Sequence, residues 1–537
     1  MRHGGRILAD QLAIQGVRRV FSVPGESFLA ALDGLHAVGI PNVVCRHEGG
    51  AAMMAEATAK LTGRPGVAFV TRGPGATNAS PGVHVARQDS TPMVLFVGQI
   101  ARGHRDREAF QEVDYRAMFA PLAKWVAEID DTRRIPEYVA RAFAVAQGGR
   151  PGPVVLSLPE DMLSAEAEAC DRPAVVVPVP AVPDLAPLVD RLRGAARPLV
   201  VAGGPGWTQG ASDALRVWAE RHGLPVAATF RRQDVLDNRS PCYAGDLGVG
   251  PNPRLAARMR EADLLLALGT RLGDIATGGF EAPDPGGAVP ALVHVHPDPA
   301  ELGRVWPTAL PILARGPDAA VALAARNDAP LGLDPSGARA DYDAWREPRA
   351  TPGAVRLEEV VLHLDAALPP DAIVTNGAGN YAAFLHRYYR FRRAGTQLAP
   401  TSGSMGYGFP AAVAASIEHP DREVVCLAGD GCFQMTLNEC STAVQHGARP
   451  VVIVCDNGRY GTIRMHQERH YPGRVSGTDL RNPDFAALSR SYGGEGWTVE
   501  RGEDFAPALE AARGSGRLAV IHLKLDGRML STGADLP

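Results

Sequence analysis

The chain has 537 residues, of which 45% are hydrophobic, so it is long enough to form three domains of ordinary size. Its formal net charge of −4 gives no reason to expect nucleic acid or an anionic membrane as a partner. The seven cysteines form no Cys-x-x-Cys pair, so neither a disulfide framework nor a zinc site is indicated. No apolar run reaches the length of a membrane span, and we expect a cytoplasmic protein.

Two stretches without a regular apolar pattern divide the chain. Residues 172–187 are rich in proline and residues 327–353 mix Asp, Pro, Gly and Arg, so both are predicted to be linkers. They leave domains at 1–170, 185–326 and 354–537. Each domain alternates short apolar strands with helical stretches, which predicts three α/β domains with doubly wound parallel sheets.

In the first domain, a short strand at 42–45 leads to Glu48 and a helix rich in small residues. Glu48 is therefore predicted at the carboxyl end of a strand, where open α/β sheets bind ligands, and the glycines after it leave room for a flat ring. An acid placed at a helix start by the helix dipole is the plain alternative. The strand at 67–71 then runs into Arg72 and a Gly-Pro-Gly turn. The Arg72 guanidinium suits either a substrate carboxylate or a structural ion pair, and the ion pair is preferred.

The second domain opens with a strand at 197–202 and a Gly-rich turn, a pattern typical of nucleotide sites. The turn fails the dinucleotide fingerprint because Gln209 stands where the third glycine belongs, and no acid ends the following strand. A nicotinamide dehydrogenase is therefore not favoured. We expect a Rossmann-like domain with a structural role.

The third domain contains two apolar strands, at 423–428 and 451–455, that end in Gly-Asp-Gly and Asp-Asn-Gly, and a helix is predicted over 433–446. Asp430 and Asn457 thus reach the same sheet edge, where the glycines let the backbone approach a phosphate. Hard oxygen ligands that leave positions open for water and phosphate suit Mg²⁺. The pattern predicts a clamp for a metal ion and a diphosphate. A surface turn with two unrelated polar residues is the alternative.

Gly-Asp-Gly followed by Asn457 resembles the metal-binding motif of thiamine diphosphate enzymes, and the pattern of the acetolactate-synthase-like branch fits nearly the whole chain. The resemblance implies that Asp430, Asn457 and the backbone carbonyl of Arg459 hold Mg²⁺. It also implies that Met405 bends the cofactor, where plain core filling is the alternative. The remaining implied cofactor contacts are Gly379, Asn380, Tyr381, Gly403, Gly429, Gly431, Cys432, Tyr460 and Gly461.

For the first domain the resemblance implies that Glu48 shares a proton with the pyrimidine ring and so activates the cofactor. It places Gln99, Phe110 and Gln111 near the bound substrate, whereas Arg72 stands where acetolactate synthases generally have a small residue. The chain departs from acetolactate synthases at Glu160, where they carry Lys, and at His466, where they carry Trp. Both changes suggest a different acceptor, or no carboligation. His466 suits a proton donor, although a surface histidine is preferred.

The implied function is a thiamine diphosphate- and Mg²⁺-dependent decarboxylase or carboligase of 2-oxo acids, working through a C2 carbanion and an enamine. A C–C lyase and a simple decarboxylase that releases aldehyde are alternatives, and a non-catalytic cofactor-binding regulatory subunit is another. Acetolactate synthases bind FAD in the second domain, but the run from Gly269 to Ile275 keeps only Arg271 and Asp274 of their motif. FAD is therefore allowed but not favoured. Because the family builds its sites between subunits, a homodimer or homotetramer is implied.

Overall fold

The computed structural model of the protein describes residues 1–283 and 291–535. Three parallel sheets organise these residues, each with six strands and with apolar cores on both faces. The strands are buried on both sides, so their sequences are continuous apolar runs rather than alternating ones. In Met93–Gln99, for example, all seven residues are buried. The predicted fold class is therefore confirmed.

The first domain forms one of these sheets and a short antiparallel pair, β1 with β8. Its strands are β1 (Arg2–His3), β2 (Val20–Ser22), β3 (Asn42–Val44), β4 (Gly66–Val70), β5 (Met93–Gln99), β6 (Trp125–Glu128), β7 (Pro153–Pro159) and β8 (Glu166–Ala167). Its helices are α1 (Gly4–Ile14), α2 (Leu29–Val38), α3 (Glu48–Thr62), α4 (Pro74–Asp89), α5 (Tyr115–Phe119), α6 (Ile135–Gln147) and α7 (Glu160–Ser164).

The second domain forms the sheet that lies in the middle of the chain. Its strands are β9 (Pro198–Ala202), β10 (Val226–Thr229), β11 (Tyr243–Leu247), β12 (Leu264–Leu268), β13 (Ala291–His296) and β14 (Leu310–Leu313). The helices of this part are α8 (Ala186–Gly194), α9 (Gln209–His222), α10 (Pro253–Glu261), α11 (Gly316–Ala325) and α12 (Ser336–Trp345).

The third domain forms the last sheet and a terminal antiparallel hairpin, β21 with β22. Its strands are β15 (Ile373–Asn376), β16 (Gln397–Leu398), β17 (Val424–Gly429), β18 (Val451–Asp456), β19 (Glu495–Val499), β20 (Ala519–Lys524), β21 (Met529–Ser531) and β22 (Ala534–Asp535). Its helices are α13 (Leu357–Ala367), α14 (Tyr381–Tyr388), α15 (Gly408–Glu418), α16 (Asp430–Gln434), α17 (Cys440–Gln445), α18 (Gly461–His470), α19 (Phe485–Ser491) and α20 (Phe505–Gly514).

The two outer sheets have the same strand order. The first is β3-β2-β4-β5-β7-β6 and the third is β16-β15-β17-β18-β20-β19, so both follow the pattern 2-1-3-4-6-5 when the six strands of each sheet are counted in chain order. The middle sheet is β11-β10-β9-β12-β13-β14, which is the 3-2-1-4-5-6 order of the Rossmann fold. In both orders the crevice where the strand order reverses is the usual ligand site.

The outer domains share one apolar core, in which α3 packs on α15. Both helices are rich in Gly and Ala, which lets their backbones approach closely. Lys60 of α3 is buried between them and forms ion pairs with Glu56 and Asp89. Tyr407, just before α15, donates a hydrogen bond to Glu56 (2.6 Å). The first and third domains are therefore joined through polar as well as apolar contacts.

One predicted linker contains a helix, and one predicted helix was wrong as a continuous element. The stretch 327–353 contains α12, whose Ala338 and Tyr342 are buried, while Arg339 pairs with Asp343 on its exposed side. With so few apolar residues, the sequence of this stretch shows no helical period. The helix expected over 433–446 is broken into α16 and α17, because Thr436 between them donates to the Gly406 carbonyl (2.8 Å). By contrast, residues 168–185 contain neither helix nor strand.

Within the described ranges, no helix is both long enough and apolar enough to cross a membrane.

Candidate functional site

A cavity of about 250 Å³ opens at the carboxyl edge of the third sheet, beside the point where the strand order reverses between β15 and β17. Every third-domain residue that the sequence predicts for the cofactor or the metal lines it. These are Gly379, Asn380, Tyr381, Gly403, Met405, Gly429, Asp430, Gly431, Cys432, Asn457, Arg459, Tyr460 and Gly461. The segments that carry them lie far apart in the chain, and the parallel strands bring their ends to one place.

The two glycines of the Gly-Asp-Gly turn lie so close to aromatic rings that neither position has room for a side chain. A Cβ atom at Gly431 would lie 2.5 Å from the Tyr460 ring, and one at Gly429 would lie 2.9 Å from the Tyr381 ring. A larger residue at either position would displace an aromatic wall of the cavity. Cys432 follows the turn, and its Sγ accepts a hydrogen bond from the Gly406 N–H (3.1 Å).

Asp430 is the charged centre of the cavity and is almost fully buried. Its Oδ1 accepts the Gly431 N–H (2.8 Å), and its Oδ2 accepts the Gly458 N–H (3.0 Å) and the Asn482 Nδ2–H (2.7 Å). All three donors are uncharged amides. Burial, together with the neighbouring Asp456, raises the pKa of Asp430 to about 6. The carboxylate thus lacks the positive charge that would offset its burial.

Asp456 lies next to Asp430 but has the opposite surroundings. It accepts hydrogen bonds from His522 Nε2 (2.7 Å) and Lys524 Nζ (3.0 Å). Burial alone would raise the pKa of Asp456, yet the hydrogen bonds from His522, Lys524 and Asn482 hold it well below its ordinary value. Of the two carboxylates, only Asp430 is left without a cationic partner by the described residues.

The donor atoms here fit a divalent cation. Asp430 supplies a buried carboxylate without a cation, and Asn457 supplies an amide oxygen at the end of the neighbouring strand. Hard oxygen donors of this kind, in an open cavity, suit Mg²⁺ rather than zinc. The described residues contain no group of three His, Cys, Asp or Glu side chains that would hold a metal.

Glu48 begins α3 in the first domain and does not line this cavity. Its Oε2 accepts a hydrogen bond from Asn78 Nδ2 (3.0 Å), and a Cβ atom at Gly75 would lie 3.2 Å from its Oε1. The turn before Glu48 is held by Glu439 of the third domain. The fully buried Glu439 carboxylate accepts the backbone N–H groups of Arg46 (3.2 Å) and His47 (3.0 Å).

The residues predicted near the substrate do not line the cavity either. Arg72 is buried and pairs with Glu160 (2.9 Å) and Glu26 (3.2 Å), which is the geometry of the ion-pair alternative. Gln99 is engaged with backbone, since its Nε2 donates to the Val113 carbonyl. Gln111 packs against Gly73, and Phe110 is 73% exposed. His466 lies on α18 and stacks against His470, with ring centroids 6.2 Å apart.

Three residues that hold the site were missed. They are Asn482, Glu439 and Arg231. Arg231, in the middle domain, donates from Nη2 to the Gly377 carbonyl (2.8 Å) and from Nη1 to the Pro400 carbonyl. Gly377 and Pro400 each precede a loop that lines the cavity. The backbone of Arg231 has a positive φ of 60°, which is unfavourable for arginine. No sequence motif signals any of the three.

A smaller cavity of about 130 Å³ lies at the carboxyl edge of the middle sheet, lined in part by Gly204, Gly269 and Arg271. Arg271 forms an ion pair with Glu301 (3.4 Å), which also binds the buried Arg150 (3.1 Å). The guanidinium that the acetolactate-synthase resemblance assigns to FAD is therefore partly engaged by the protein. That FAD is allowed but not favoured stays a prediction.

Comparison with known proteins agrees with this arrangement. Residues 2–118 match the thiamine pyrophosphate enzyme N-terminal TPP binding domain, residues 185–323 match the central domain, and residues 377–523 match the C-terminal TPP binding domain.

The chain is also similar to curated proteins over nearly its whole length. It is 33% identical over 535 residues to the acetolactate synthase large subunit of Parasynechococcus marenigrum, covering 95% of this chain and 86% of the relative. It is 32% identical over 538 residues to the Corynebacterium glutamicum large subunit, covering 95% and 84%. It is 30% identical over 534 residues to the acetolactate synthase isozyme 2 large subunit of Escherichia coli, covering 98% and 96%. The chain therefore belongs to the thiamine pyrophosphate enzyme family and is similar to its acetolactate synthase large subunits.

Proposed function

We propose that the protein is a thiamine diphosphate- and Mg²⁺-dependent enzyme that acts on 2-oxo acids as a decarboxylase or carboligase. The observation that carries the proposal is the cavity at the edge of the third sheet, where a buried carboxylate without a cation lies among glycines and an amide oxygen. A Mg²⁺ ion held here would supply the missing positive charge and would attract a diphosphate.

The residues of the third domain have distinct tasks in this proposal. Asp430, Asn457 and the Arg459 carbonyl would hold the metal, while Gly431 and its neighbours leave space for the phosphates. Met405, from the loop before α15, would support the cofactor between its two rings. When bound, thiamine diphosphate supplies a carbon nucleophile and accepts the electron pair that remains as CO₂ leaves a 2-oxo acid.

Glu48 would exchange a proton with the N1′ atom of the pyrimidine ring. Its carboxylate is already oriented by Asn78 and by the turn that Glu439 holds. Within one chain, Glu48 does not line the cavity that contains Asp430. We therefore propose that the Glu48 edge of one subunit faces the Asp430 cavity of another, in a homodimer or homotetramer.

Complementation tests the shared site directly. We expect Glu48→Gln and Asp430→Ala homo-oligomers to have very low activity, but a co-expressed mixture to regain activity. One site of each mixed pair is intact, and the other carries both changes. Mixtures without activity, from material shown to contain mixed pairs, would contradict a site built by two subunits.

The fate of the substrate after CO₂ leaves stays open between an aldehyde and a ligated product. Glu160 and His466 stand where acetolactate synthases carry Lys and Trp, and Glu160 is bound to Arg72 (2.9 Å). The purified chain, with Mg²⁺ and thiamine diphosphate, should be offered a panel of 2-oxo acids while CO₂ release and product mass are recorded together. Equal amounts of CO₂ and aldehyde indicate decarboxylation, and a product heavier than the aldehyde indicates ligation. No turnover with any 2-oxo acid would contradict the proposed function.

A further inference from the structure

Asn482 joins the two carboxylates that end strands β17 and β18. Its Nδ2 donates one hydrogen bond to Asp430 Oδ2 and one to Asp456 Oδ1, each 2.7 Å long. Its side-chain oxygen accepts a hydrogen bond from Gln434 Nε2 (2.9 Å). The opposite amide orientation would turn an oxygen towards two carboxylates and an NH₂ group towards another NH₂ group. The chemistry therefore fixes which way Asn482 points.

The hydrogen bonds on Asp430 leave little freedom for the carboxylate. An ionised carboxylate has about four lone-pair sites, two on each oxygen. Oδ2 uses both, for Gly458 and Asn482, and Oδ1 uses one, for the Gly431 N–H. One lone pair of Oδ1 remains. Asp430 is thereby prepared to offer a single oxygen atom to a ligand.

The identity of the residue between the carboxylates also matters. Lys524 and His522 bind Asp456 from its other side, so that carboxylate is offset by its own donors. A cationic side chain at position 482 would offset Asp430 as well and compete with a metal ion. A neutral amide supplies two hydrogen bonds and leaves the charge of Asp430 available.

We propose that Asn482 is a positioning residue that holds Asp430 as a one-oxygen ligand and so sets the affinity of the site for a divalent cation. This inference rests on the proposed function, in which Asp430 binds Mg²⁺ together with thiamine diphosphate. Asn482 does not line the cavity and is not expected to touch the metal, the cofactor or the substrate.

The test is the Mg²⁺ affinity of Asn482→Leu, which keeps the shape of the side chain and removes its donors. Partners that orient a metal ligand are typically worth about 10- to 100-fold in metal affinity. We expect the Kd for Mg²⁺, measured by calorimetric titration at fixed thiamine diphosphate, to rise by roughly that factor. At saturating Mg²⁺ the value of kcat should stay within about threefold of wild type, because the chemistry is not touched.

Two further variants complete the design. Asn482→Ser keeps one donor, so its Kd should lie between those of wild type and Asn482→Leu. Asn252→Leu is the matched control, since the Asn252 side chain both donates and accepts a hydrogen bond but lies in the middle domain. The Mg²⁺ affinity of this variant should equal that of wild type.

The outcomes separate the two proposals. Unchanged Kd values for Asn482→Leu and Asn482→Ser would overturn the positioning role. Tight binding of thiamine diphosphate by the wild type without any divalent cation would overturn the metal clamp itself. If Asn482→Leu does not fold, the Mg²⁺ affinity of Asn482→Ser tests the positioning role, because the loss of one of the two donors should still weaken Mg²⁺ binding measurably.

Discussion

The first and third domains have the same strand order but very different residues at the carboxyl edges of their sheets. In the third domain the edge carries glycines and Asp430, whose donors are all neutral amides. In the first domain the edge carries longer side chains that already have partners, such as Glu48 with Asn78 and Arg72 with Glu160. The shared topology determines where a ligand can bind, whereas the residues that end the strands determine what kind of ligand fits.

The two edges are also connected within one chain. Glu439 lies shortly after Asp430 in sequence, yet its carboxylate binds the turn that precedes Glu48. The peptide that forms the diphosphate side of one proposed site thus supports the catalytic turn of the other. The middle domain contributes differently, since Arg231 reaches from it to the carbonyls before the loops of the cavity.

Removing the charge from the third-domain edge should have the largest effect. We expect Asp430→Ala to abolish tight binding of thiamine diphosphate, because the diphosphate would lose its Mg²⁺ bridge. Calorimetric titration of the cofactor with Mg²⁺ present is the measurement. Asp421→Ala, an exposed acid just before β17, is the control and should bind normally. Wild-type affinity in Asp430→Ala would contradict the metal clamp.

The corresponding change at the first-domain edge should affect rate and spare binding. Glu48→Gln keeps the size of the side chain but cannot share an acidic proton with the pyrimidine ring. General acid–base contributions are typically about 10² to 10⁴ in rate, so we expect a loss in that range with a much smaller change in cofactor affinity. The measurement is exchange of the cofactor's C2 proton into D₂O, read by proton NMR beside steady-state turnover. If Glu48→Gln exchanges the C2 proton at the wild-type rate, the proposed proton transfer is contradicted and Glu48 is only an acid at the start of a helix.

Much of this comparison was predictable from sequence, because the signals are local. Continuous apolar runs that end in glycine predict buried parallel strands, and Asp430 and Asn457 are predicted at one edge because parallel strands end together. The supporting residues were not predictable in this way. Asn482 meets Asp430 across 52 positions, and Glu439 meets Arg46 across 393. Such contacts depend on how the domains pack, and no spacing in the sequence records them.

Removing the contact between Glu439 and the turn before Glu48 should have a smaller and more specific effect. Glu439→Ala removes the acceptor of the part-buried Arg46 and His47 N–H groups, which costs on the order of 1 kcal/mol for each lost hydrogen bond. We expect a lower thermal midpoint, and a lower kcat because the Glu48 turn loses its support. Mg²⁺ affinity should change little, since Asp430 is not touched.

The matched control for the link is Gln445→Ala on α17. It removes a hydrogen bond between the Gln445 side chain and the exposed Arg46 guanidinium (2.6 Å) but leaves the backbone of the turn in place. A Glu439→Ala enzyme with normal kcat, or a Gln445→Ala enzyme with the same defect, would show that the turn before Glu48 does not need the Glu439 carboxylate.

The smallest expected effect is a loss of stability of the middle domain in acid. His296 ends β13 and is 2% exposed, and burial lowers its pKa to about 4, while an unfolded histidine titrates near 6.5. Between about pH 6.5 and 4 the unfolded chain binds a proton that the folded chain does not, so this group makes the folded state less stable as the pH falls. By pH 5 the loss in the free energy of unfolding is on the order of 2 kcal/mol.

Hydrogen exchange of the β13 amides at pH 7 and 5, corrected for the intrinsic rate, should show this loss in the wild type. It should shrink in His296→Gln, because a glutamine side chain does not titrate. His84→Gln, at an exposed position on α4, should behave like the wild type. An equal acid response in His296→Gln and the wild type would mean that another group, such as the buried His294 beside it, governs the acid sensitivity of the middle sheet.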